Sequence, residues 1–149
     1  MNVLGAIVAG LVGTAVFSMV MVLAPRMGMP KMDIVGLLGT MFGKENQLLG
    51  WMMHGMLGII FGLIYAFLWS LGVGAPTWLG GLVFGTVQWL IVGMIMGLMI
   101  PMMHAGIRRG EVKAPGYWMT NNGGMMAFAG GLVGHMIFGI VIALVYSLF

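Results

Sequence analysis

The chain of 149 residues is 61% hydrophobic and only 6% charged, with a mean hydropathy of +1.10, which is more apolar surface than a soluble domain of this size can bury. It is therefore read as an integral membrane protein forming one domain over residues 1–149. The lack of cysteine excludes disulfides, thiolate metal sites, Fe–S clusters and a cysteine nucleophile, and a net charge of +3 is too small to indicate a nucleic-acid partner.

The first apolar run, residues 3–24, is long enough to cross the roughly 30 Å hydrocarbon layer as a helix. With no basic segment before it and no small-residue cleavage site after it, the run is read as a retained span. Gly5, Ala6, Ala9, Gly10, Gly13 and Thr14 give it a ridge of small residues, and Pro25 closes it. In the connection that follows, Asp33 is placed to cap a short helix over residues 34–42, apolar on nearly every side, that lies in the interface or against the bundle.

A second span is expected over residues 49–71 and a third, after an uncharged turn, over 78–100, ending at Pro101. The third carries the small-residue pairs Gly81/Gly85 and Gly93/Gly97 and a polar centre at Gln88-Trp89. A second polar connection holds Arg108, Arg109, Glu111 and Lys113, with Tyr117-Trp118 as an interface anchor. The fourth span, residues 123–149, contains Gly130/Gly134. The fold class is thus an all-α membrane protein, a four-transmembrane-helix bundle.

Spans two and four repeat one pattern. GWMMHGMLGIIFGLIYAFLW (50–69) and GGLVGHMIFGIVIALVYSLF (130–149) both read His-x3-Gly-x3-small-x2-Tyr when His54 is set on His135. Gly58 then meets Gly139, Gly62 meets Ala143 and Tyr65 meets Tyr146. At about 100° per residue these positions share one side of each helix. The weaker echo of GLVGT (10–14) in GLVFGT (81–86) extends the match to spans one and three, so a duplicated helical hairpin, a 2+2 parallel repeat with a pseudo-twofold axis along the membrane normal, is expected.

All six Lys and Arg residues (Arg26, Lys31, Lys44, Arg108, Arg109, Lys113) fall in the first and third connections, which four spans put on one side. The positive-inside rule makes that side cytoplasmic, giving a multi-pass protein of the inner (plasma) membrane with both termini outside. The aromatic residues fit, with Trp51 and Trp118 assigned to the inner interface and Trp69, Trp78, Tyr65 and Tyr146 towards the outer one.

Ionisable side chains within spans are expensive, which makes His54 and His135, with His104 just beyond Pro101, the candidates for haem or metal ligation. In an apolar setting each is expected as neutral imidazole, a good ligand, and the small residues at Gly58, Gly62, Gly139 and Ala143 would leave room for a flat macrocycle such as haem b. The preferred reading, since no carboxylate in the spans orients an imidazole, is that each imidazole bonds a backbone carbonyl and the glycines serve close helix packing. Met27, Met29 and Met32 are candidate thioether ligands for Cu(I), but 19 methionines spread over every segment are what a flexible apolar filler would give, and packing is the preferred reading.

Carboxylates are confined to Asp33, Glu45 and Glu111, outside the spans, and no glycine pair leads into a phosphate loop, so the chain leans away from conventional catalysis. APRMGMPKMD (24–33), GWMMHGMLGIIFGLIY (50–65), IPMMH (100–104) and GHMIFGIVIALVY (134–146) together resemble small four-span bacterial membrane proteins of unknown function, a likeness that implies the topology and no catalytic residue. Three functional readings stay open. The chain is an oligomerising or accessory subunit, forming a homo-oligomer or joining a larger membrane complex through its glycine-rich faces. Alternatively it binds haem or a metal ion for redox or copper handling, or it is a small transporter or channel with Gln88, Ser18, Thr14 and Thr86 along its path.

Overall fold

The computed structural model describes all residues, Met1–Phe149, as an all-helical bundle. Its long helices are α1 (Val3–Leu23), α3 (Gln47–Ser70), α4 (Trp78–Leu98) and α7 (Gly124–Tyr146), with α2 (Ile34–Gly39), α5 (Ile100–Met103) and α6 (Ala105–Arg108) in the connections. All four long helices are apolar and long enough to cross a membrane. Short polar side chains start three of them. Asn2 Oδ1 accepts the Gly5 N–H (2.9 Å), Asn46 Oδ1 that of Leu49 (3.0 Å) and Thr77 Oγ1 that of Gly80 (3.1 Å), each pairing an amide the helix itself leaves free.

Helix α1 packs directly against α3 and α7, and α4 against α7. Both hairpins close on glycine. Gly10 lies on the carbonyl of Gly58 and Gly62 on that of Ala6, while Gly81 lies on the carbonyl of Gly139 and Gly85 on that of His135. A side-chain carbon at any of these four glycines would overlap the facing backbone, so the helices approach as closely as their main chains allow. The fourth seam differs. Helices α3 and α4 meet through long side chains: Tyr65 and Trp69 pack on Phe84 with ring centroids 5.0 and 5.6 Å apart, and the Tyr65 hydroxyl donates to Gln88 Oε1.

Several residues take roles other than those expected. Tyr65 and Trp69, in the last turns of α3, are 3% and 8% exposed and belong to the buried core with Phe138 and Ile142. Gly93 and Gly97 seat the rings of Trp118 and Tyr117, Gly134 seats Phe17, and Gly130 faces the terminal methyls of Met29 and Met32; none of these four meets a neighbouring helix backbone. The short helix after Asp33 stops at Gly39, because Thr40 turns its hydroxyl back to the carbonyls of Gly36 (2.9 Å) and Leu37 (3.1 Å).

The two basic connections touch. The Ala105 N–H donates to the Met41 carbonyl (3.0 Å), which puts both at the same end of the bundle. At the opposite end the Asn2 N–H donates to the Tyr146 hydroxyl (3.0 Å), bringing the first and last residues side by side. Between α6 and α7 a tight turn over Tyr117–Asn122 holds Trp118 and Met119 at φ of +50° and +57°, a left-handed conformation that side chains with a Cβ rarely adopt.

Candidate functional site

His54 is aimed inward by the glycines one turn to either side of it. Gly50 rests against the Val35 carbonyl and Gly58 against Thr14 and the Gly10 carbonyl, so α3 is pinned above and below the imidazole. His135 is held in the same way on α7: the Trp89 ring covers Gly131, and Gly139 meets the Gly81 backbone. The two imidazoles are 8% and 9% exposed and border a single cavity of about 90 Å³ in the centre of the bundle.

Phe17 packs against both, its ring centroid 5.9 Å from that of His54 and 5.0 Å from that of His135. Trp89 packs against His135 in a tilted arrangement with ring centroids 4.8 Å apart. Phe17 belongs to none of the patterns singled out above, and Trp89 only to the polar centre of the third span, yet the sequence holds a signal for both. Extending the GLVGT and GLVFGT echo by three residues gives Gly13-Thr14-x-x-Phe17 and Gly85-Thr86-x-x-Trp89, so each histidine packs on the aromatic of its own hairpin's other helix.

The hydrogen bonds define what the histidines can offer. His135 Nδ1–H donates to the Gly131 carbonyl at 2.8 Å, which in a neutral ring leaves Nε2 with its lone pair. His54 Nε2 is buried and has no hydrogen-bond partner in the protein. The Thr14, Ser18 and Thr86 hydroxyls are turned back on the carbonyls of Gly10, Thr14 and Leu82, at 2.7–2.9 Å, and so offer no donor to a path through the bundle. Gln88 lines the cavity, with its Oε1 taken by Tyr65.

His104 lies elsewhere and is fully buried. Its Nδ1 accepts the Ile107 N–H (3.1 Å), which assigns the proton to Nε2, and Nε2–H donates to the Leu37 carbonyl (2.9 Å) with Thr40 Oγ1 at 3.2 Å. The ring thereby caps α6 and ties it to α2, with both nitrogens engaged. Of the three methionines considered for copper, Met27 is 82% exposed, Met29 reaches Gly130, and Met32 is buried and lines the central cavity. Tyr146, the counterpart of Tyr65, bonds the chain's first residues at the far end of the bundle and not a helix within it.

The exposed pair Arg109–Glu111 is hydrogen-bonded through Nε (2.7 Å) and Nη2 (2.8 Å), and the guanidinium holds that carboxyl below the usual carboxylate range. It stands apart from the cavity lining.

The glycines expected to make room for a macrocycle are closed by helix contacts at Gly58, Gly62 and Gly139, and about 90 Å³ is well below the roughly 300 Å³ at which cavities for drug-sized ligands begin. The residues do not fit haem.

The family profile that matches this four-helix chain covers residues 1–149 in full. The chain belongs to DUF6789, a family of unknown function. Neither the curated proteins nor the solved structures contain a match to it.

Proposed function

We propose that the protein binds a metal ion inside the membrane, held between His54 Nε2 and His135 Nε2. The observation that carries this reading is that two buried imidazoles border one small cavity, one with its Nδ1 bonded so that Nε2 keeps a lone pair, the other with a buried nitrogen that nothing in the protein satisfies. A buried polar atom left unpaired costs about 1–3 kcal/mol, and metal coordination relieves that cost where a hydrocarbon setting offers no other partner. The likeness between the two hairpins supports the same reading, since matching helices present matching histidines to a common centre.

The site lies nearer the end of the bundle that carries the basic connections, and we place that end in the cytoplasm of a plasma-membrane protein on the positive-inside rule. Glycines Gly58, Gly62, Gly81, Gly85 and Gly139 are engaged within the chain, so association with a second copy or a larger complex would rest on larger lipid-facing side chains.

The test is metal content and metal titration of purified wild type beside His54→Ala/His135→Ala. We expect one ion per chain in the wild type and loss of binding in the double variant. Equal binding by both proteins, or none by the wild type, would overturn the proposal.

A further inference from the structure

The cavity is not lined evenly. Its polar-connection end is walled by the thioethers of Met32, Met96 and Met119, which are 8%, 7% and 4% exposed and form one buried cluster with Ala127. Its other end runs into the aromatic core. No carboxylate lines it, and no three His, Cys, Asp or Glu side chains cluster anywhere in the chain. A zinc-type site of four nitrogen, oxygen or thiolate ligands therefore cannot be assembled here. A divalent ion would also carry two uncompensated charges into the bilayer. Thioether is a ligand that selects soft monovalent copper, and imidazole suits copper as well.

Met119 has a second distinction. It borders both this cavity and a surface cleft of about 330 Å³ between the polar connections, whose rim includes Asp33, Glu45 and Lys113. Its inward position is forced on the chain. Trp118 and Met119 both hold positive φ, and the turn is fastened by Trp118 on Gly93, Tyr117 on Gly97, and a Lys113 Nζ–H bond to the Asn121 carbonyl (2.7 Å). Strain of this kind persists where the surrounding structure over-determines it. Here it leaves one thioether as the partition between an acid-rimmed cleft and the buried imidazoles.

Resting on the metal-binding reading above, we infer that the ion is Cu(I), or Ag(I) as its redox-inert analogue, that thioether sulfur from Met32, Met96 or Met119 completes the His54/His135 ligand set, and that the ion enters from the surface cleft past Met119. The competing account is that these methionines only fill space, as they do in many cores. Leucine matches methionine in volume and removes the sulfur, so it separates the two.

The experiment compares wild type, Met32→Leu/Met96→Leu/Met119→Leu and His54→Ala/His135→Ala in detergent. Cu(I) affinity is read by competition with a chromogenic chelator under reducing conditions, Zn²⁺ affinity is measured alongside, copper-edge X-ray absorption reports the ligand atoms, and helicity and monodispersity serve as folding controls. We expect Cu(I) to bind the wild type more tightly than Zn²⁺ and with a sulfur scatterer, and the triple variant to lose more than about tenfold in Cu(I) affinity together with that scatterer while remaining folded. Met119→Leu alone should slow Ag(I) loading more than Met32→Leu does. A triple variant that binds Cu(I) as the wild type does, a Zn²⁺ preference in the wild type, or equal loading rates for the two single variants would overturn the inference while histidine-dependent binding still stood. No binding by the wild type would remove both proposals together.

Discussion

Gly55 and Gly139 are both mid-helix glycines, and the fold uses them in opposite ways. A Cβ on Gly55 would meet only Leu11 Cδ2 at 3.9 Å, whereas one on Gly139 would overlap the Gly81 carbonyl. Gly55→Ala is therefore expected to leave stability unchanged or raise it by up to about 1 kcal/mol through helix propensity. Gly139→Ala should cost roughly 1–3 kcal/mol, because a backbone, unlike a side chain, cannot move aside. Thermal denaturation in detergent checks both. The residue spacing makes the shared face of His54, Gly58 and Tyr65 legible in the sequence, since it follows from the helical period alone. Which imidazole nitrogen is engaged is not legible: at His135 it depends on the ring reaching its own helix's Gly131 carbonyl, and at His104 on a carbonyl from Leu37, 67 positions away.

At the scale of elements, the turn over Tyr117–Asn122 behaves as part of α4. Its two aromatic rings lie in the notches left by Gly93 and Gly97, and those contacts hold Trp118 and Met119 in their left-handed conformation. Gly93→Ala should expel the Trp118 ring, release the turn and lower stability by about 1–3 kcal/mol, with a shift in tryptophan emission as the indole changes surroundings. An unshifted emission spectrum would show that the ring keeps its place. A pattern of two small residues four apart states only that something can approach a helix closely, not what does so. For Gly81 and Gly85 that something is a helix backbone; for Gly93 and Gly97 it is a loop some twenty residues further along, and no periodicity within α4 distinguishes the cases.

For the whole molecule, four apolar runs separated by two charged connections and one uncharged turn were enough to read the bundle, because hydrocarbon admits only helices that satisfy their own backbone. The unequal seams could not be read. Glycines close α1 on α3 and α4 on α7, while α3 and α4 meet through Tyr65, Trp69, Phe84 and Gln88, of which Gln88 also lines the cavity. Orientation can be measured cleanly because the chain has no cysteine of its own. Single substitutions Lys44→Cys and Ser147→Cys, probed in intact cells with a membrane-impermeant thiol reagent, are expected to label at Ser147→Cys and not at Lys44→Cys; the reverse pattern would invert the topology proposed above.

The bond from Asn2 to Tyr146 brings these two residues close enough for a short linker to join the ends. Joining the ends by a short linker and reopening the chain in the exposed, uncharged turn between α3 and α4 gives a circular permutant that reads α4, α7, α1, α3. The basic connections stay on their original side and every helix pair keeps its neighbour, so the permutant is expected to insert, fold and present both imidazoles to the cavity as the parent does. Its helicity and metal titration, set beside the parent's, would show whether the site depends on the bundle's packing or on the order in which the hairpins enter the membrane.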